Sequence, residues 1–169
     1  MSHLGMPLGA EAVYRLTVQP SFGAPLEVEI WGAGKQGWFS ARCRGTAPLP
    51  DLTVPRLGLR RGQWRSLVNH VQQGKFWKLS ELQMETNFLV FDGSDVALEG
   101  QLGENYHRVR RHEALEPGLA RTVNFMLQVS TLLDYLPGVG DCYLQDVQPS
   151  KTARAYPGRT ENVTAKEER

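Results

Sequence analysis

The chain has 169 residues, 19 of them lysine or arginine and 18 aspartate or glutamate, with two cysteines and a formal charge of +1. That length suits one domain, able to bury about 70% of its unfolded surface. The near-zero charge lacks the basic footprint of a dedicated nucleic-acid binder. Two cysteines without a CxxC or a Cys/His cluster offer neither a dense disulfide framework nor a metal site, and no run of 18 apolar residues is present to span a membrane.

The opening Met-Ser-His-Leu-Gly-Met-Pro lacks the basic stretch, apolar run and cleavage site of a secretory signal. A cytoplasmic location is the expectation, with Cys43 and Cys142 reduced there and a single bridge between them as the alternative. Residues 1–10 read as a flexible N-terminus and 11–148 as a single α+β domain. Residues 149–169 are polar, with Tyr156 and Val163 as their only sizeable apolar groups. Such a segment buries too little to offset its ordering entropy and reads as a disordered tail.

In chain order, 13–18 (Val-Tyr-Arg-Leu-Thr-Val) is β-branched and aromatic and stops near Pro20. Residues 26–30 alternate strictly, with Leu26, Val28 and Ile30 on one face and Glu27 and Glu29 on the other. Gly32-Ala33-Gly34 breaks that strand, and 37–43 is a third. Residues 45–55 carry Pro48, Pro50 and Pro55 and read as loop. Trp64, Leu67, Val68 and Val71 then recur at the spacing of one buried helical stripe. Gly74 stands where a left-handed C-terminal cap is expected. At the other end Arg60-Arg61-Gly62 offers no good N-cap. Phe76 and Trp77 are expected to fold back onto the core.

Residues 87–91 read as a short buried strand, and 96–102 as an alternating one. Gly103-Glu104 suits a two-residue hairpin turn with glycine first, and 105–111 returns. Glu116-Pro117 opens a second helix. Its stripe is Leu119, Val123, Met126, Ser130 and Leu133, widened by Leu127 and Leu136 and ended by Pro137-Gly138. The predicted class is α+β: an antiparallel sheet of five to six strands, in the order βββα-β(β)β-α, with two helices packed on one face.

Several phrases together resemble a family of small bacterial proteins. They are Tyr14-Arg15 with Ser21-Phe22, Gln63-Trp64, Gly74-Lys75-Phe76-Trp77-Lys78-Leu79, Asp92-Gly93-Ser94, Leu98-Glu99-Gly100 and Tyr106-His107-Arg108-Val109-Arg110. The resemblance covers residues 14–133. It implies a shared fold and no established activity. The family pattern has tryptophan where this chain has Val96 and His112.

Pairing outward from Gly103-Glu104 sets Leu98 opposite Val109 and Gly100 opposite His107 on one face. Gln101–Tyr106, Glu99–Arg108 and Ala97–Arg110 occupy the other. Glu99, Tyr106, Arg108 and Arg110 therefore cluster, and with Arg60 and Arg61 they are the candidate partner- or ligand-binding residues. The plainest reading of that face is solvated ion pairs worth at most about 1 kcal/mol. The sharper one is a recognition surface, because tyrosine and arginine concentrate at binding hot spots. His107, on the core face, reads as a packed, hydrogen-bonded side chain, and the tryptophans read as core or edge packing.

No catalytic residue, metal ligand or cofactor site is assigned. The leading functional expectation is a non-catalytic module that binds another protein, with inhibitor or immunity-type proteins as one version. The alternative is a small enzyme or ligand-binding domain with a cleft near the 96–111 hairpin. A third class, nucleic-acid binding, would use the arginines at 56, 60, 61 and 65 and at 108, 110 and 111; the balanced charge weighs against it.

Overall fold

In the computed structural model the described residues are 4–21, 25–44, 51–82, 94–112 and 115–129. They form β1 (Ala12–Pro20), β2 (Leu26–Ala33), β3 (Gln36–Cys43), β4 (Leu52–Gly58), α1 (Gln63–Gln73), a 3-10 turn (Phe76–Lys78), β5 (Ser94–Leu102), β6 (Asn105–His112) and α2 (Pro117–Val129). The six strands make one sheet in the order β4-β3-β2-β1-β5-β6, and every adjacent pair is antiparallel. The expected α+β architecture is therefore present. Expected features at 87–91, 130–138 and 149–169, and Cys142, lie outside the described residues.

β1 is central because its sequence can be buried on both sides. Tyr14, Leu16 and Val18 point to the helices, and Val13 is equally buried on the opposite face. The alternation of β2 is realised as read: Leu26, Val28 and Ile30 are 0–2% exposed, while Glu27 and Glu29 line the open face with Arg42 and Arg15. Leu67 and Val71 of α1, Phe76, and Leu119, Val123, Met126 and Leu127 of α2 close the main core over this sheet. A smaller cluster on the open face joins Leu4, Val13 and Trp31, with Met6, Ala10, Trp38 and Tyr106 against it.

The β5–β6 hairpin has the predicted register, Leu102 opposite Asn105 through Ala97 opposite Arg110. Gly103 takes φ 57°, the glycine-first geometry of a two-residue turn that follows strand twist.

Two local expectations are corrected. The loop read over 45–55 ends early, because β4 begins at Leu52 and runs through Pro55. Proline cannot donate to a ladder, but β4 is an edge strand. Its register against β3 also shifts between Phe39/Ala41 and Leu57/Val54, putting an extra residue in the stretch that holds Pro55. Edges and bulges are where a sheet tolerates proline.

Gly74, expected in the left-handed region, is right-handed at φ −71°, and Lys75 takes φ 54° instead. The glycine is there for space. A Cβ on Gly74 would stand 2.9 Å from the Gly118 carbonyl oxygen, and one on Gly118 would stand 2.7 Å from the Gly74 Cα. The end of α1 and the start of α2 touch backbone to backbone.

Candidate functional site

The open sheet face carries the predicted cluster. Tyr106 donates its hydroxyl hydrogen to Glu99 Oε1 at 2.6 Å, and Arg108 Nε lies 3.8 Å from the same oxygen. Arg110 binds Asp95 at 2.7 Å, and His112 Nδ1 lies 2.9 Å from the other Asp95 oxygen. These contacts follow from the hairpin register, which puts Glu99, Tyr106, Arg108 and Arg110 on one side.

The register extends the cluster beyond the hairpin. Arg15 of β1 stands between Glu29 of β2 and Glu99 of β5. Its guanidinium reaches Glu29 Oε2 at 2.6 Å and Glu27 at 3.8 Å. Burial opposes its charge, but the Glu29 hydrogen bond and the charges of Glu29, Glu27 and Glu99 outweigh this and raise its pKa. Glu27 also pairs with Arg42 at 2.7 Å. Four arginines thus meet four carboxylates on this face. Its polar groups largely satisfy one another. The pairs made by the half-exposed Arg42, Arg108 and Arg110 contribute little stability.

At one end of the face the charge lattice meets aromatics. The Arg56 guanidinium carbon lies 4.5 Å from the Trp38 ring centroid and 5.7 Å from that of Trp31. Arg60 and Arg61 do not join the Glu99 cluster. They belong to the exposed turn entering α1, where Gln63 Oε1 accepts from the Arg60 amide at 2.7 Å.

Arg111 looked in sequence like part of a surface arginine group, but it is buried at 4% exposure. It donates to both Glu116 oxygens at 2.7–3.1 Å and to the carbonyls of Ser80 and Arg110. It clasps the start of α2 and the chain after the 3-10 turn onto β6. Glu116 is held below the usual carboxylate range, chiefly by the Arg111 hydrogen bond.

The helix-covered side holds what the sequence reading passed over: a cleft of about 510 Å³ where α1 crosses the ends of β1, β5 and the β2–β3 turn. Its walls are Tyr14, Trp64, Val68, Trp77 and Leu102, and its polar lining is Glu11, Lys35, Arg65 and Gln72. Trp64 can lie flat here because Gly32 and Gly37 leave room. A Cβ on Gly32 would come within 2.5 Å of the indole, and one on Gly37 within 2.9 Å of the Trp64 Cβ. Gly100 likewise makes room for Phe76, whose ring would stand 2.7 Å from a Cβ there.

Tyr14 sits among Trp64, Phe76 and Trp77, with ring centroids 6.1–6.5 Å away. It is 2% exposed. Burial pushes its hydroxyl pKa up to about 12, and no described residue hydrogen-bonds that hydroxyl. Beside this group His107 packs on Phe76 and Trp77 at 5.0 and 6.2 Å. The expectation of a packed, hydrogen-bonded histidine is half met, because its buried Nε2 has no hydrogen-bond partner.

The predicted core or edge packing of the tryptophans holds: Trp31 and Trp64 are buried, and Trp38 and Trp77 pack half-buried against the two clusters, Trp77 at the cleft. The signal for the cleft was Gln63-Trp64 followed by Phe76-Trp77 around a short helix. It could not be read without knowing that both tryptophans flank Tyr14. Among the described residues no group of three or more histidine, cysteine, aspartate or glutamate side chains is placed to hold a metal ion. No helix there is long and apolar enough to cross a membrane. Compared with known proteins, the chain matches no family model, no curated protein and no solved structure.

Proposed function

We propose that this chain is a ligand-binding domain whose ligand enters the aromatic cleft beside α1. The observation that carries this reading is Tyr14. The residue is 2% exposed and lines the cleft within a wall of aromatic rings, and its hydroxyl has no hydrogen-bond partner among the described residues. The hydroxyl is not sealed from water as His107 Nε2 is, so it can exchange a water for a ligand acceptor at a concave surface. A mostly apolar cleft of a few hundred cubic ångströms with a few convergent polar groups is the usual form of a small-molecule site. Because its pKa is near 12, Tyr14 stays protonated at physiological pH. It suits donating a hydrogen bond rather than acting as a base.

The test is an aromatic fragment screen read by the indole N–H resonances of the four tryptophans. Binding at the cleft moves the Trp64 and Trp77 signals and leaves Trp31 and Trp38 in place. If no fragment moves Trp64 or Trp77, the reading fails.

A second reading, contact with a protein partner through the open face, is favoured by the exposed Arg56 stacked on Trp38 and by half-buried Tyr106, which packs against the same open-face cluster from the other edge of the sheet. Arginine, tryptophan and tyrosine are the side chains that dominate binding energy at interfaces. Under that reading Arg56→Ala weakens partner capture by at least tenfold, and Arg65→Ala on the cleft side leaves it unchanged.

A further inference from the structure

We propose that the cleft selects a planar aromatic anion, such as a two-ring aromatic carboxylate, with its acid group held between Lys35 and Arg65. The inference rests on the cleft being a ligand site and adds the chemical class of the ligand. Trp64, Trp77 and Tyr14 supply flat aromatic surface, and Val68 and Leu102 close it with aliphatic groups. Such surfaces favour a rigid ring system, which gains contact area without losing much conformational freedom.

The mouth of the cleft is basic. Lys35 sits in the β2–β3 turn beside Gly34, and Arg65 in the first turn of α1. Neither forms an ion pair among the described residues. Glu11, the one carboxylate in the lining, already accepts the Gly34 amide hydrogen at 3.1 Å. The lining therefore carries a net positive charge, from Lys35 and Arg65 against Glu11.

The helix adds to the same sign. The first turn of α1 holds no acidic residue, its Gly62 N-cap offers no side-chain bond, and Arg60 and Arg61 directly precede it. A helix N-terminus left this way favours an anion. The arginines at 60 and 61, chosen in sequence as binding candidates, thereby acquire a role as long-range attraction near the mouth rather than contacts on the Glu99 face.

The experiment compares three probes of one shape by calorimetry on the full chain: 2-naphthoate, the neutral 2-naphthalenemethanol, and the cationic 2-naphthylmethylammonium. The expected order is naphthoate tighter than the alcohol by about tenfold and the ammonium weakest, with the gap shrinking at high salt. The double variant Lys35→Gln/Arg65→Gln, both positions exposed, is expected to erase the naphthoate advantage, so that naphthoate and the alcohol bind alike. Equal binding of naphthoate and alcohol with movement of the Trp64 and Trp77 signals overturns the anion preference and keeps the cleft as a ligand site. Preference for the ammonium overturns it in favour of Glu11. No tryptophan response to any of the three removes the cleft reading and this inference together.

Discussion

Tyr14 and Arg111 show how differently two polar side chains can be buried. Arg111 has partners for its guanidinium in Glu116 and two backbone carbonyls, whereas Tyr14 has none among the described residues. Tyr14→Phe removes a hydroxyl that is neither bonded within the protein nor sealed from water, so it is expected to change the unfolding free energy by less than about 0.5 kcal/mol in urea titrations, while weakening any cleft ligand that uses the hydroxyl. Arg111→Ala should lower stability by about 2 kcal/mol. The loss stays below that of a fully buried broken pair because Glu116 is 44% exposed and can rehydrate. The pH dependence has a definite sign. Arg111 and Arg110 lower the pKa values of Glu116 and Asp95 in the folded state. The stability these carboxylates add is complete above the usual carboxylate range. It is lost as pH falls through their lowered folded values. Urea midpoints measured from neutral to acid pH should fall less steeply in Arg111→Ala than in the parent chain.

At the scale of elements, the helices are joined by a glycine pair rather than by a cap. Alanine is normally the better helix residue, by about 1 kcal/mol over glycine, so Gly118→Ala in the first turn of α2 would be expected to stabilise. The 2.7 Å approach to the Gly74 Cα reverses that sign, because backbone cannot step aside as a side-chain tip can. A net loss of about 1–2 kcal/mol, measured by thermal or urea unfolding, is the expected outcome. β4 shows the limit of composition: three prolines in 45–55 describe a loop, yet the last of them lies in a strand that only its edge position permits. The β5–β6 hairpin shows the opposite. A glycine-first turn and period-two alternation were enough to set every pair, because a one-residue slip would turn Leu98 and Val109 out of the core.

At the scale of the molecule, β1 holds the sheet together. It pairs with β2 on one side and β5 on the other, although β5 follows it by more than seventy residues. The two faces of that sheet carry separate apolar clusters that share this strand. Neither half of the sheet keeps its core if β1 leaves, so unfolding should be a single transition. Far-UV circular dichroism and tryptophan fluorescence are expected to give coincident urea curves. The tryptophans report both faces, Trp31 and Trp38 on the open one and Trp64 and Trp77 beneath the helices. A fluorescence change that precedes the dichroism change would mean that one face melts by itself.

By itself the sequence determined the α+β class, the strands with clear alternation, the hairpin register and the face shared by Glu99, Tyr106, Arg108 and Arg110. Each of these depends on neighbours within a few residues, where periodicity and turn chemistry act directly. Tertiary structure decided the rest. It placed Arg15 between Glu29 and Glu99, so that the predicted face became a neutralised lattice. It brought Glu116 and the Ser80 carbonyl to Arg111 and gave Gly74 a packing role in place of a cap. It also gathered Tyr14, Lys35, Trp64, Arg65 and Trp77 from separate segments around one cleft. These outcomes depend on which strands become neighbours and on how closely α1 can approach the sheet. Long-range pairing and excluded volume set both, and neither is written in any local stretch of the chain.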